Sequence, residues 1–170
     1  MVRHAKAYSI ERWAQEGGHD KDRPLIPKGV EKFLDVVSEL GSILTPPMHI
    51  FSSPSKRTFD TAQLLAKHFE LPQPKTTDIL LKDSSVKQVE AFLLDALQPR
   101  VTTVIVGHEN HLARILCHLL KGQASSSFHF KKGGCAMLNI HVTQRKLCGQ
   151  LQWMITPNFL LKRSKEPHNI

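Results

Sequence analysis

Short apolar runs alternate with amphipathic stretches along most of the 170 residues. Residues 101–106, Val-Thr-Thr-Val-Ile-Val, are β-branched throughout and read as a strand ending at Gly107-His108. Residues 1–6 read as the end of a first strand, and 48–51 as a second, led in by Pro46-Pro47. From Lys28, the positions Val30, Phe33, Leu34, Val37 and Leu40 recur at helical spacing until Gly41 stops the run. Phe59, Ala62, Leu65, Ala66 and Phe69 form the inner face of another helix, with Ser53 as its cap and Pro54 at its first position. Pro72 and Pro74 break the chain before an extended piece at 76–81. Val86, Val89, Leu93 and Leu97 mark a third helix from about Ser85, and Leu112, Ile115, Leu116 and Leu119 a fourth capped by Asn110. Residues 135–142 and 147–155 read as two strands joined by a turn at 143–146. Residues 8–27, with Gly17-Gly18, Asp20, Asp22 and Pro24, follow neither period and read as a long surface loop. Such loops are uncommon in compact domains and are often functional.

This alternation predicts an α/β fold: a three-layer αβα sandwich whose largely parallel sheet carries an antiparallel edge strand. In open α/β sheets, ligands bind beyond the carboxyl ends of the strands. Arg3-His4, the run Ser52-Ser53-Pro54-Ser55-Lys56-Arg57 and Gly107-His108 each follow a predicted strand, so parallel strands bring all three to one edge. Two histidines would then meet, one as nucleophile and one as hydrogen-bond donor or proton shuttle. Arg3 and Arg57 would neutralise phosphoryl oxygens, which a planar guanidinium fork matches. In-line phosphoryl transfer depends mainly on such electrostatic clamping.

Composition narrows the field. The length suits one domain, expected over residues 1–155 with a basic tail at 156–170. The first motif lies so near the N-terminus that either the first strand is very short or residues were lost from this copy. Three dispersed cysteines give neither a disulfide framework nor a zinc knuckle, which fits a cytoplasmic protein. No stretch reads as a secretory leader or a membrane span. The net charge of +8 allows an anionic partner, but the basic residues are scattered and there is one tyrosine. Nucleic acid therefore ranks last among partners.

The chain resembles the histidine phosphatase superfamily, with its phosphoglycerate mutase-like fold, and more narrowly the small bacterial SixA-type phosphohistidine phosphatases. The resemblance rests on Val2-Arg3-His4-Ala5-Lys6-Ala7, Asp22-Arg23-Pro24-Leu25-Ile26-Pro27-Lys28-Gly29, Ser52 through Ala62, and Val106-Gly107-His108-Glu109-Asn110, in the family's order. It implies His4 as the phosphorylated nucleophile, Arg3 and Arg57 as phosphoryl ligands, His108 as completing the pocket, and Arg23 as reaching toward substrate. It also implies no metal and no organic cofactor. A phosphohistidine on a protein is the expected substrate, and a small phosphomonoester the alternative. A weakly active phosphate-binding regulatory module is a third reading, and a mutase is disfavoured by the short chain.

The sequence departs from the family at Ile26, where a threonine is usual, and in lacking a recognisable proton donor. Asp78 and Asp83 fall in the corresponding region without a matching motif, and Asp83 reads as a helix-start residue. Glu109 is expected to point away from the site. An imidazole leaving group is far less basic than an alkoxide, so general-acid help matters less for a phosphoramidate. His111 and His118 read as helix-surface residues, since with His108 they make no metal-ligand motif. Lys131-Lys132-Gly133-Gly134 reads as a polar turn before a strand, with a place at the phosphate pocket as the alternative. Cys135 reads as a buried strand residue.

Overall fold

The computed structural model describes residues 1–42, 44, 49–121 and 128–163. Pro46, Pro47 and Met48 lie outside the described residues, as do residues 164–170 of the expected tail.

Six strands form one sheet: β1 (Val2–Arg3), β2 (His49–Ser52), β3 (Lys75–Thr76), β4 (Thr103–Gly107), β5 (Cys135–Thr143) and β6 (Lys146–Ile155). Their spatial order is β3-β2-β4-β1-β5-β6. The first four in that order pair in parallel, while β5 runs antiparallel to β1 and β6 antiparallel to β5. The expected parallel sheet is thus closed on one side by an antiparallel hairpin, turned by Gln144 and Arg145, both at positive φ.

Helices cover both faces, as alternation along the strands requires. On one face, α2 (Pro27–Gly41), α3 (Lys56–His68) and α6 (Pro157–Arg163) pack on Val2, Ile50, Val106 and Cys135 through Phe33, Val37, Ala62, Leu65 and Leu160. On the other, α4 (Val86–Ala96) and α5 (Glu109–Leu119) pack on Ile105 and Ala136 through Val89, Leu93, Leu112, Ile115 and Leu116. Val106 and Ile105 face opposite ways because successive strand side chains do. Ser85, close to the expected start of the helix, caps α4 in a reciprocal capping box with Gln88.

Several local expectations change. The inner face of α2 is Gly29, Phe33, Val36, Val37 and Leu40, and Leu34 is exposed. Residues 8–27 are not structureless. They hold the short helix α1 (Ile10–Gln15), capped by Ser9, and a 3-10 turn at Asp20–Asp22. α1 buries no residue, so no apolar period announces it; the Ser9 cap and the Trp13 indole, donating to the His19 carbonyl, hold it instead. Residues past Ile155, expected as a basic tail, begin with α6, whose Leu160 joins the first core cluster. The piece at 76–81 is extended only at its start and then turns through a 3-10 segment at Asp78–Leu80.

Candidate active site

Register brings the three sequence segments together. Arg3 lies level with Gly107 across β1 and β4, and Ser52 level with Val106 across β2 and β4. Just beyond, the His4 amide donates to the Gly107 carbonyl at 3.1 Å and the Ser53 amide to the Val106 carbonyl at 3.1 Å. His4, Ser53 and His108 therefore stand side by side at the carboxyl edge of adjacent strands, with the His4 and His108 ring centroids 5.7 Å apart.

The loop after β2 differs from its expected form. Ser55, not Ser53, is the N-cap of α3, and the helix starts at Lys56. The Ser53 hydroxyl is engaged elsewhere, 3.1 Å from His108 Nε2. Thr58 Oγ1 donates back to the Ser53 and Ser55 carbonyls, fixing the bend. Arg57 thereby falls in the first turn of α3, at the end of a helix that favours anions. One turn on, Thr61 Oγ1 accepts the Ala5 amide at 3.0 Å and donates to the Arg57 carbonyl at 2.6 Å, tying the His4 segment to α3.

α5 likewise starts earlier than expected. β4 ends at Gly107, His108 is extended and serves as N-cap, and Asn110 lies inside the helix. Glu109, in the first turn, does not point away: its carboxylate pairs with Arg3 Nη1 at 2.6 Å and lies 3.5 Å from His129 Nδ1. Arg3 Nη1 also donates to the Phe130 carbonyl at 2.5 Å.

Asp20, in the 3-10 turn, holds the other arginines. One of its oxygens lies 2.9 Å from Arg23 Nη2, and the other 3.2 Å from Arg57 Nη2. Arg57 Nη1 also donates to the Asp20 carbonyl at 2.7 Å, and Arg23 Nη1 to the Tyr8 carbonyl at 2.6 Å. Burial works against the ionised carboxyl, but Arg57 and Arg23 outweigh it and hold Asp20 below its ordinary value. Arg3 and Arg57 each keep a buried Nε–H without an acceptor, so these internal partners leave both guanidinium groups incompletely satisfied.

His4 and His108 are neutral, and their tautomers follow from their partners. His4 Nδ1 lies 2.7 Å from the Ala5 carbonyl, which can only accept, so the proton is on Nδ1 and Nε2 carries the lone pair. His4 is 6% exposed. Its pKa falls to about 3, chiefly through burial, opposed by the Ala5 carbonyl and reinforced by Arg57, His108 and Arg3. His108 Nδ1 lies 3.4 Å from Arg57 Nη2, which can only donate; Nδ1 thus accepts, and Nε2–H donates to Ser53. Burial first, then Arg57, lowers His108 to about 4, with Asp20 opposing.

A cleft of about 480 Å³ opens beside His108 and Arg57, lined also by Asp20, Lys21, Ser55, Lys82 and Asp83. Asp83, expected as a helix-start residue, sits in the turn before the Ser85 cap and lines this cleft. Asp78 does not line it; its carbonyl accepts from Ser84 Oγ. His111, expected at the helix surface, is 1% exposed and hydrogen-bonded to the Leu80 backbone. His118 pairs with Glu90 at 2.7 Å. Among the described residues, no group of three or more His, Cys, Asp or Glu could hold a metal ion. Burial pushes the Cys135 thiol up to about 12, which makes it inert. Sequence reasoning missed Asp20, the Glu109 pairing and Thr61. The spacing of Asp20 and Arg23, one helical turn apart, was the available signal for the first.

The histidine phosphatase superfamily (branch 1) model matches residues 1–93, more than half of the chain. Among solved structures, the protein histidine phosphatase SixA complexed with tungstate is 18% identical with a TM-score of 0.77, covering 94% of this chain and 96% of that one. A SixA structure from Agrobacterium tumefaciens is 24% identical with a TM-score of 0.69, covering 92% and 95%. A mycobacterial glucosyl-3-phosphoglycerate phosphatase complexed with VO3 is 17% identical with a TM-score of 0.68, covering 90% and 96%. No curated protein matches. No helix among the described residues is long and apolar enough to cross a membrane. The fold agrees with these phosphatase structures and the family model covers Arg3, His4, Arg23 and Arg57: the chain belongs to the histidine phosphatase superfamily and is a hydrolase of that family.

Proposed function

We propose that the protein hydrolyses a phosphohistidine on a protein through a covalent phosphohistidine on His4. The observation that carries this is the state of His4: neutral, with Nδ1–H held by the Ala5 carbonyl and the Nε2 lone pair free, beside two arginines. In the first step Nε2 attacks phosphorus and the substrate's P–N bond breaks. The departing imidazole nitrogen takes its proton from water. In the second step water attacks phospho-His4 and the P–Nε2 bond breaks; the proton this water releases neutralises the hydroxide left by the first step, and inorganic phosphate leaves with His4 restored.

Arg3, Arg57 and, from the loop, Arg23 supply the charge that the equatorial oxygens require, in exchange for their present carboxylate partners. His108 orients Arg57 through Nδ1. A bound phosphoryl dianion would raise its pKa from about 4. Asp20 is ionised between its arginines and is a poor acid. A leaving group that needs little protonation suits such a site.

A second reading, a small-molecule phosphomonoesterase, draws on Asp83, a cleft carboxylate that could protonate an alkoxide. Comparing kcat/KM for a phosphohistidine peptide and for an alkyl phosphate, in the parent and in Asp83→Asn, separates the two. The proposal expects at least about a hundredfold preference for the phosphoramidate, given the range of general-acid effects, with little change in Asp83→Asn. Equal or better rates on the alkyl ester, lost in Asp83→Asn, would establish the monoesterase. Binding of phosphate without turnover of either substrate would leave a regulatory module.

A further inference from the structure

Next to the His4 segment, a separate cavity of about 180 Å³, sharing no lining residue with the cleft, opens between Ala5-Lys6, the start of α2, and Lys132-Gly133 before β5. Lys6, Lys28, Lys32 and Lys132 line it over an apolar floor that includes Phe33 and Pro157, and no carboxylate is among its lining residues. All four lysines are exposed.

The placement of these charges is unfavourable by itself. Lys28 and Lys32 lie one turn apart on α2, where like charges repel, and Lys28 occupies the first turn, where the helix dipole disfavours a cation. α2 is nevertheless drawn tightly against the Lys6 backbone. A Cβ at Gly29 would fall 2.2 Å from the Lys6 carbonyl oxygen, so glycine is required for this approach. Lys32 Nζ is anchored at the rim by donating to Asn158 Oδ1 of α6. The Lys132 ammonium is held below its ordinary value by partial desolvation and then by Arg3, Arg23 and Lys6, with Glu109 opposing.

We propose that this cavity binds an acidic segment of the phosphoprotein substrate. An Asp or Glu side chain would sit among the four ammonium groups, and a neighbouring apolar side chain would rest on Phe33 and Pro157. Charge complementarity selects this occupant: four lysines line a cavity that has no carboxylate among its lining residues. The inference rests on the protein-phosphohistidine reading above.

The test compares two phosphohistidine peptides, one with glutamates and a leucine flanking the phosphorylated residue and one with glutamines in their place. The ratio of their kcat/KM values is measured in the parent and in Lys28→Glu/Lys32→Glu, with thermal melts confirming that the variant folds. The parent is expected to prefer the acidic peptide by about tenfold or more at low salt, and the variant to lose or invert that preference. A ratio near one in the parent, or a ratio unchanged in the variant, would overturn the inference. If the parent turns over neither peptide, the phosphatase reading fails. The cavity is then judged by fluorescence anisotropy of the labelled, unphosphorylated glutamate peptide: binding lost in the variant supports the acidic-segment site, and no binding or undiminished binding overturns it.

Discussion

His4 combines two properties that oppose each other in water: it is buried against cations, yet it must attack an anion. Burial resolves the conflict by removing the proton, so the ring stays neutral and nucleophilic well below its ordinary value of 6.5. The sign of the pH dependence follows. A histidine whose folded pKa lies below its unfolded value stays neutral while the unfolded chain takes up a proton. The stabilisation is full above the unfolded value near 6.5 and declines as pH falls toward about 3 for His4 and about 4 for His108. In an NMR titration, the ring protons of His4 and His108 should hold constant shifts from pH 7 to 5, while global stability declines over the same range. Titration of either ring near its ordinary value would contradict this account. Arg57 is similarly set by its neighbours, since one guanidinium meets both Asp20 and His108.

At the scale of elements, the site depends on α3 being fastened to the segment after β1. Thr61 makes that connection with one hydroxyl, between the Ala5 amide and the Arg57 carbonyl. Thr61→Val removes the hydroxyl and leaves the buried Ala5 N–H unpaired, at a cost of about 1–3 kcal/mol. Urea unfolding should show a lowered midpoint with an unchanged slope, and Thr61→Ser should restore most of the loss. A Thr61→Val midpoint equal to the parent's would show that the hydroxyl bridge contributes nothing.

Over the whole molecule, parallel pairing gathers chemistry that the sequence scatters across more than a hundred positions, from Arg3 to His108. That gathering was legible because strands and helices announce themselves by period: β4 by its β-branched run, and α4 by its spacing. The convergence of Arg3-His4, Arg57 and Gly107-His108 followed from the rule that parallel strands share a carboxyl edge. α1 was not legible, because it buries nothing and so has no period. Asp20 and Glu109 were not legible either. A carboxylate's partner across the fold depends on where a turn delivers it, and the 3-10 turn at Asp20–Asp22 and the early start of α5 left no apolar pattern to read. Asp83 does not start α4, because Ser85, two residues on, holds that place, and the turn before the cap leaves Asp83 lining the cleft.

The central claim is that the gathered residues pass a phosphoryl group through His4. Its most direct test is an acid-free rapid quench during turnover of a phosphoramidate, followed by intact mass and peptide mapping, with His4→Ala and Arg57→Ala run beside the parent. The account predicts a transient phosphate on His4 in the parent, none in His4→Ala together with loss of turnover, and a much reduced rate of formation in Arg57→Ala. Turnover by His4→Ala at the parent's rate, with no phosphate on His4 in the parent, would contradict it.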